Sequence, residues 1–461
     1  MNDVNMKKLS IVVTILSMLI SSGLTSCNID SSTTTSYDGN HCAITYMTLG
    51  TLLRESHITT SRGTDSTYMT TFSGSMYPLY VDQYKGEIYN PDSLPLGTRV
   101  DKVVFSTISH DGILAYRLDN GTDTVFAISD TVDFTHPRVF TCYSYSGLGK
   151  RTYTVNVNVH KVNPEAFVWS KVTSSNETMR GITSQRAFCK EGMIYVFAIA
   201  NNAPVLLTTS TDSGTDWTSV NLSVNNFNPE SLQLFKGNFY TLEEGVLKTS
   251  SNGSVWTSVS TSFTADALIA SGSSMMFAMK DGNIYKSGDA ISWELDDIES
   301  DAEKLPVSGF TSTWSQMTFN GDFEYVICGG TNANGNVEWR KVIDNKGDNT
   351  EPWSLYMFDT DKAYPYPSYP GTQVLSYDSK LFALGIEGDT LSLFNISYDS
   401  GRTWKPQRLA YQHPLSMAAD NFSWVMDENK YMWIICGGSG DVWRGRINRL
   451  GFKTNQTIFT E

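Results

Sequence analysis

The chain has 461 residues, a formal net charge of −14, 40% hydrophobic residues and 18% charged residues. This length exceeds one ordinary core and predicts two domains, or a small domain and a repeat array, while the hydrophobic fraction excludes a disordered chain. The excess of negative charge argues against nucleic acid and anionic membrane surfaces as partners.

Residues 1–27 have the pattern of an export signal. Lys7 and Lys8 form the basic start. The apolar run Leu9–Ile20 is shorter than the roughly 20 residues that a transmembrane helix needs. The run ends in Leu-Thr-Ser-Cys, which resembles a lipobox, in which the cysteine thiol is acylated and becomes the new N-terminus. We therefore expect Cys27 to anchor the protein outside the cytoplasm in the outer membrane, facing the periplasm or the cell surface. An ordinary cleaved signal is the alternative.

Two segments follow the signal before the repeats begin. Residues 28–40 are rich in Ser and Thr and predict a flexible tether. Residues 41–163 contain short runs of alternating apolar residues, of which Tyr153–Val159 is the most regular, separated by turns such as Asn120-Gly121. We predict an immunoglobulin-like β-sandwich for this segment, acting as a spacer near the anchor.

A repeated motif organises the remainder, residues 164–461. The sequence Ser210–Trp217 returns as Ser397–Trp404, and both read S-x-D-x-G-x-x-W. In such a β-hairpin turn the Asp carboxylate accepts backbone hydrogen bonds, the Gly adopts a positive φ and the Trp packs on the sheet. We predict structural roles for the residues at these positions, which are Asp212, Gly214, Trp217, Asp399, Gly401 and Trp404.

Weaker copies of the motif end at Trp256 and Trp293, each after a hairpin pattern, and Trp353 marks a further outer strand after an irregular insertion. Regular repetition of four-stranded antiparallel sheets is typical of a β-propeller. We predict six blades, with the early strand Ala166–Val172 completing the last blade and so closing the ring. Seven blades is the alternative, because residues 298–358 are long enough to contain a second sheet.

The S-x-D-x-G-x-x-W copies resemble the Asp-boxes of sialidase-type propellers. The order of lipobox, β-sandwich and propeller is similar to that of a family of Bacteroides-type secreted lipoproteins, a resemblance that implies no established activity. Sialidases of this kind use three arginines, one of them in an Arg-Ile-Pro motif, and a tyrosine nucleophile activated by a glutamate. The chain has no Arg-Ile-Pro, and the sequences around Arg180 and Arg186 do not resemble it, so we predict no sialidase activity and assign no catalytic residue.

The five cysteines after Cys27 predict no metal site, and no cofactor motif is present. Cys42 and Cys142 lie in one predicted domain and are either bridged or free. Three others recur at comparable places in the repeats, which favours buried small hydrophobic side chains. These are Cys189, Cys328 and Cys436. Zinc-type spacings of Cys and His are absent from the sequence.

The best candidate for a binding surface is the propeller face that carries the loops between successive blades. The connection around Tyr364, Tyr366 and Tyr369 contains interspersed prolines, and stiffened tyrosine rings can stack on sugars at low entropic cost. The alternative is a structural role, in which these rings pack on neighbouring blades. We place Trp314, Tyr411 and His413 in the corresponding loops of other blades.

These features predict a non-catalytic recognition module for glycan or protein at the cell envelope. A glycoside hydrolase or lyase whose site is not apparent in the sequence is the first alternative. A structural or adhesion component of an envelope complex is the second.

Overall fold

The computed structural model describes residues 39–59, 65–317, 320–347, 349–356, 363–407, 411–414 and 416–452. Cys27 and residues 28–38 of the predicted tether lie outside the described residues. The chain divides into two compact units, the first ending at Val159 and the second beginning at His160. No helix in the described ranges is long and apolar enough to cross a membrane.

The described residues of the first unit form ten strands and one short 3-10 helix, Gly74–Met76. The strands are β1 (Ile44–Leu49), β2 (Thr51–Thr59), β3 (Asp65–Ser73), β4 (Tyr80–Asp82), β5 (Glu87–Tyr89), β6 (Phe105–His110), β7 (Ile113–Arg117), β8 (Asp123–Val125), β9 (Arg138–Tyr143) and β10 (Lys150–Asn156).

The main sheet of the first unit has the order β4-β5-β10-β9-β7-β8. Its β10-β9-β7-β8 part is antiparallel and matches the G-F-C-C′ order of immunoglobulin-type sandwiches, whereas β5 runs parallel to β10. The strands β1 and β6 form a separate pair, and β2 and β3 form a long hairpin. The first unit is therefore a β domain, as the alternating sequence pattern predicts.

Aromatic residues fill the core of the first unit. The ring of Phe140 is fully buried and packs edge-on against Phe105 and Phe126 at centroid distances of 6.2 and 5.5 Å. Cys142 lies in the same core and is free, as is Cys42, so the two are not bridged. The Cys142 thiol donates to the backbone oxygen of Asp111, and burial raises its pKa to about 11.

In the second unit, the part of the chain that the structure describes has one short α-helix, α1 (Glu177–Arg180), and 3-10 helices at Pro229–Ser231, Ala302–Lys304 and Asn448–Gly451. Its first strands are β11 (Phe167–Thr173), β12 (Ile182–Lys190), β13 (Met193–Ala200), β14 (Ala203–Ser210), β15 (Thr218–Asn221), β16 (Gln233–Phe235), β17 (Asn238–Glu243), β18 (Val246–Ser250), β19 (Thr257–Ser258), β20 (Ala267–Ser271), β21 (Met276–Lys280), β22 (Asn283–Ser287) and β23 (Glu294–Leu295). The remaining strands are β24 (Ser308–Gln316), β25 (Phe323–Asn332), β26 (Gly335–Asp344), β27 (Ser354–Leu355), β28 (Gln373–Tyr377), β29 (Lys380–Leu384), β30 (Ile386–Glu387), β31 (Thr390–Leu391), β32 (Asn395–Ser397), β33 (Lys405–Pro406), β34 (Asn421–Met426), β35 (Met432–Gly437) and β36 (Asp441–Ile447).

These strands form a propeller. The described residues of the second unit make six four-stranded sheets and the small β30–β31 pair. The innermost strands are β12, β16, β20, β24, β28 and β34. Each contacts the next innermost strand around the ring, except that β12 contacts the 3-10 helix Pro229–Ser231 that precedes β16. Residues 298–355, where the sequence leaves room for a second sheet, form one sheet with long strands, since β25 and β26 have ten residues each.

The ring is closed by strands from the two ends of the second unit. The early strand β11 pairs antiparallel with β36, so that the last sheet has the order β11-β36-β35-β34. Phe167 lies opposite Ile447, and Lys171 lies opposite Trp443. The predicted closing strand is therefore confirmed.

Hydrophobic layers between adjacent sheets form the core of the second unit. One layer contains Trp339 and Trp353, both fully buried. Cys328 and Cys436 are buried on the second strands of their sheets, as predicted. Cys189 differs, because it lies on the innermost strand β12, remains partly exposed and donates to Glu428 at 3.4 Å.

Candidate functional site

The beginnings of the innermost strands surround a cavity of about 210 Å³ at the centre of the ring. Neighbouring innermost strands run parallel here, since the backbone nitrogens of Val374 and Ser376 on β28 donate to the hydroxyls of Thr311 and Thr313 on β24. Their first residues therefore meet at one mouth. The lining comes from residues 183–186, Glu230, 309–311, 370–373, Ile386 and 420–422. We call this space the axial cavity.

Arg186 on β12 supplies the positive charge of the axial cavity. Its Nη1 donates to the backbone oxygen of Glu230 at 2.6 Å, and its Nη2 donates to Oγ of Ser312 at 2.9 Å. Burial lowers the pKa of Arg186 to about 10, which leaves the guanidinium protonated at neutral pH. No carboxylate of a described residue forms an ion pair with it, and two hydrogen bonds leave further N–H donors for a ligand.

Two carboxylates line the same cavity. Glu230 belongs to the 3-10 helix Pro229–Ser231, and its Oε2 accepts a hydrogen bond from the backbone nitrogen of Gly309 at 3.1 Å. Asp420 precedes β34 and is exposed. With Arg186, the lining carries one positive and two negative groups.

Amide side chains join neighbouring sheets beneath this mouth. Gln185 donates to Asn421 Oδ1 at 2.7 Å and accepts from Ser423 at 3.0 Å, which links β12 to β34. Gln373 donates to the backbone oxygen of Phe422 at 2.6 Å. These bonds fix the walls of the cavity, so the charged groups are held on a rigid frame.

Family profiles match both units of the chain. The DUF6242 beta propeller domain matches residues 163–455, and the DUF6242 N-terminal domain matches residues 47–157. The chain belongs to the DUF6242 family. Among curated proteins, no match was found.

Solved propeller structures resemble the DUF6242 chain distantly. The catalytic domain of a GH62 alpha-L-arabinofuranosidase from Coprinopsis cinerea has 9% identity and a TM-score of 0.32, covering 52% of this chain and 96% of its own. A lectin from Aleuria aurantia in complex with alpha-methyl-L-fucoside has 11% identity and a TM-score of 0.32, covering 66% of this chain and 97% of its own. A Trichoderma reesei protein of carbohydrate-active enzyme family AA12 has 8% identity and a TM-score of 0.32, covering 61% and 96%. These scores are too low to transfer an activity or a binding residue.

The tyrosines of the Pro-rich connection of the DUF6242 propeller do not share one surface. Tyr364 is 45% exposed, with the Lys405 ammonium 4.7 Å from its ring centre. Tyr366 is 5% exposed and packs edge-on against Trp404 at 5.6 Å, as the packing alternative predicts. Tyr369 is partly buried, and its backbone oxygen accepts from Thr372 at 2.7 Å. Among the described residues of this connection, those from Pro370 to Gln373 line the axial cavity.

The two predicted residues before β34 are held by internal contacts. His413 is buried, with Nε2 2.7 Å from the backbone oxygen of Ser392. Tyr411 donates to Asp378 at 2.8 Å. Asp378 also pairs with Lys380 at 2.6 Å and with Arg449. Burial alone would raise the pKa of Asp378, but these hydrogen bonds outweigh burial and lower it to about 2.

Trp314 occupies a different place from the one predicted. It lies within the innermost strand β24, and it lines a separate cavity at the far ends of β24, β28 and β34. The sequence Thr-Ser-Thr-Trp-Ser-Gln lacks Gly, Pro and a turn pattern, and this was the signal for a strand.

The second S-x-D-x-G-x-x-W copy forms the predicted hydrogen-bonded turn, between the third and fourth strands of its sheet. Asp399 Oδ1 accepts from Ser397 Oγ at 2.8 Å and from the backbone nitrogen of Thr403 at 2.9 Å. Gly401 has a φ of 101°. Trp404 is 2% exposed and donates to the Gly401 carbonyl at 3.0 Å. The turn lies between β32 and β33, away from the lining of the axial cavity.

The first copy, between β14 and β15, keeps the shape of the turn without its acid. Trp217 donates to the Gly214 carbonyl at 3.1 Å, and Gly214 has a φ of 69°. An added Cβ at Gly214 would lie 2.4 Å from the Trp433 ring, so close packing requires glycine. The Asp212 carboxylate makes no hydrogen bond to a described residue and is exposed, which differs from the prediction.

The cavity residues of the DUF6242 propeller were missed by sequence reasoning. Arg186 was considered only as a sialidase arginine, and neither Glu230 nor Asp420 was singled out. The available signal was position, because Glu230 and Asp420 lie just before innermost strands and Arg186 lies within the innermost strand β12. In the described residues, no group of three or more His, Cys, Asp or Glu is arranged to hold a metal ion.

Proposed function

We propose that the propeller is a carbohydrate-recognition module that holds one neutral sugar residue in the axial cavity. The observation that carries this proposal is the convergence of Arg186, Glu230 and Asp420 on one small cavity with rigid amide-bonded walls. Sugar hydroxyls both donate and accept hydrogen bonds, so a lining with charged donors and charged acceptors suits them.

The charged groups and the volume of the axial cavity restrict the class of ligand that it can bind. An anionic ligand would meet two carboxylates and one guanidinium, which disfavours uronic acids, sulfates and phosphates. The cavity of about 210 Å³ is below the range of roughly 300–1,000 Å³ that holds drug-sized ligands, and it is suited to a single ring. A neutral monosaccharide, or the terminal residue of a longer glycan, therefore fits best.

Binding to a glycan array and titration calorimetry with neutral monosaccharides test this proposal. We expect Asp420→Asn and Glu230→Gln to weaken binding by at least about tenfold, because each loses a charged acceptor of about 1.5–3 kcal/mol. Glu351→Gln is the matched control, since Glu351 is exposed and lies outside the cavity. Unchanged affinity in both cavity variants would contradict the proposal.

A glycoside hydrolase is the second candidate, favoured by the presence of two carboxylates in one cavity. Hydrolysis of a glycosidic bond uses a pair of Asp or Glu residues, one of them as a proton donor. Glu230 already accepts from Gly309, which ties one of its oxygens to the wall and favours the binding role. Release of reducing sugar from neutral oligosaccharides by the wild type, but not by Glu230→Gln or Asp420→Asn, would establish the enzyme instead.

The proposal places this module at the cell envelope through acylated Cys27, on the sequence pattern of residues 1–27. Mass spectrometry of the N-terminal peptide tests acylation, and protease treatment of intact cells distinguishes the periplasmic face from the cell surface. Co-purification of an envelope protein without any glycan binding would favour the structural or adhesion role.

A further inference from the structure

A second cavity lies at the opposite ends of the innermost strands. It has a volume of about 770 Å³. Its lining comes from residues 313–317 at and just after the end of β24, from Leu375, Ser376 and Ser379 of β28 and the turn after it, and from residues 425–426 of β34. Because β24 and β28 run parallel, these residues lie at the strand ends remote from the axial cavity. We call this space the tryptophan cavity.

Trp314 is the largest side chain of the tryptophan cavity. Trp314 is 39% exposed, whereas Trp339 and Trp353 are fully buried. Its indole makes no ring stack or hydrogen bond with another described residue. A large aromatic ring thus faces the cavity with an open side, on an innermost strand that the ring of sheets holds in place.

The other described residues of the lining carry no charged side chain. Polar groups come from Gln316, Ser376 and Ser379, and apolar surface comes from residues such as Met317 and Met426. This differs from the axial cavity, where charged groups of both signs converge. A charged ligand would find no counter-ion here, and an entirely apolar one would leave the amide and hydroxyl groups without partners.

We propose that the tryptophan cavity is a second carbohydrate site, in which the C–H face of a neutral pyranose ring stacks on Trp314. Gln316, Ser376 and Ser379 then exchange hydrogen bonds with the ring hydroxyls. The volume lies within the range of about 300–1,000 Å³ typical of ligand pockets, so the site accepts a short oligosaccharide. The inference stands apart from the proposed function, because the two cavities share no lining residue.

The experiment titrates the full-length protein with cellotriose, xylotriose and maltotriose, followed by calorimetry and tryptophan fluorescence. We expect at least one of these neutral trisaccharides to bind, and Trp314→Ala to lower its affinity about tenfold or more. Trp314→Phe should retain part of the affinity and lose the fluorescence change on binding. Tyr398→Ala is the matched control, an exposed aromatic residue outside both cavities.

The outcomes separate the two sites. Weaker trisaccharide binding in Trp314→Ala, with Asp420→Asn unaffected, supports the inference whether or not the axial cavity binds sugar. Equal affinity in wild type and Trp314→Ala overturns it, as does the absence of binding by all three trisaccharides. Binding of an apolar peptide in place of any trisaccharide also overturns it. If Trp314→Ala does not fold, Trp314→Phe decides, because an unchanged fluorescence response would show that the indole is not at the site.

Discussion

Replacing Glu338 with glutamine should abolish a loss of propeller stability that occurs as the pH rises. Glu338 lies on β26 and is fully buried. Its Oε2 accepts from the indole nitrogen of Trp404 at 2.8 Å, and its Oε1 has no hydrogen-bond partner in the described structure. Burial raises the pKa of Glu338 well above 4.5, so the folded protein keeps this carboxyl protonated at pH values where the unfolded chain releases the proton.

The sign and size of the effect follow from this raised pKa. The contribution of Glu338 is fully present below about pH 4.5 and declines as the pH rises toward the folded-state pKa. The slope is at most about 1.4 kcal/mol per pH unit, so the free energy of unfolding of the wild type should fall relative to that of Glu338→Gln as the pH rises from 5 to 7. Glutamine keeps an oxygen that can accept from Trp404 and does not ionise.

Urea unfolding followed by tryptophan fluorescence measures this difference. All 11 tryptophans lie after His160, so the signal reports the second unit alone. The free energy of unfolding is compared at pH 5, 6 and 7 for the wild type, Glu338→Gln and the exposed control Glu303→Gln. Parallel pH dependences of wild type and Glu338→Gln would refute the reasoning, since they would mean that the carboxyl ionises in the fold as it does in water.

Three further predictions concern other parts of the chain. Asp378→Asn should destabilise the second unit by about 2 kcal/mol at neutral pH, and the difference should shrink as the pH falls from 3.8 toward about 2, measured by urea unfolding across that range. Gly214→Ala should cost about 1–3 kcal/mol more than Gly237→Ala in the same assay, because both have a positive φ but only the first would press a Cβ against a buried tryptophan ring; equal costs would contradict the packing argument. Cys328 and Cys436 should resist iodoacetamide until urea unfolds the chain, because burial raises the pKa of each to about 12, and peptide mass spectrometry checks this.

Local rules account for the parts of the fold that the sequence predicted. Gly214 and Gly401 occupy positive-φ positions in turns, and such positions are visible in a single sequence because few residues tolerate them. The closing strand was predictable for a different reason. The last repeat lacks its fourth strand, and the apolar run before the first full repeat forms a strand that has no sheet of its own. Pairing the two completes the last sheet.

The candidate site could not be predicted in the same way. Arg186, Glu230 and Asp420 are far apart in sequence and come together only because the ring brings the beginnings of innermost strands to one point. Tyr366 shows the reverse case. Its Pro-rich surroundings indicate an exposed loop, but its ring packs on Trp404, and no local pattern distinguishes the two outcomes. The residue type thus indicates which interactions a side chain can make, whereas its position in the ring decides whether it faces a cavity or packs in the core.

The pairing of β11 with β36 also bears on how the chain is made. The ribosome releases β11 before any other strand of the propeller, and its partner emerges last, with Ile447 opposite Phe167. The backbone groups of β11 that bond to β36 stay unpaired until β36 has been synthesised. A chain that ends before β36 cannot complete the sheet to which β11 belongs. Such a fragment would present open strand edges, which can pair with other chains and lead to aggregation.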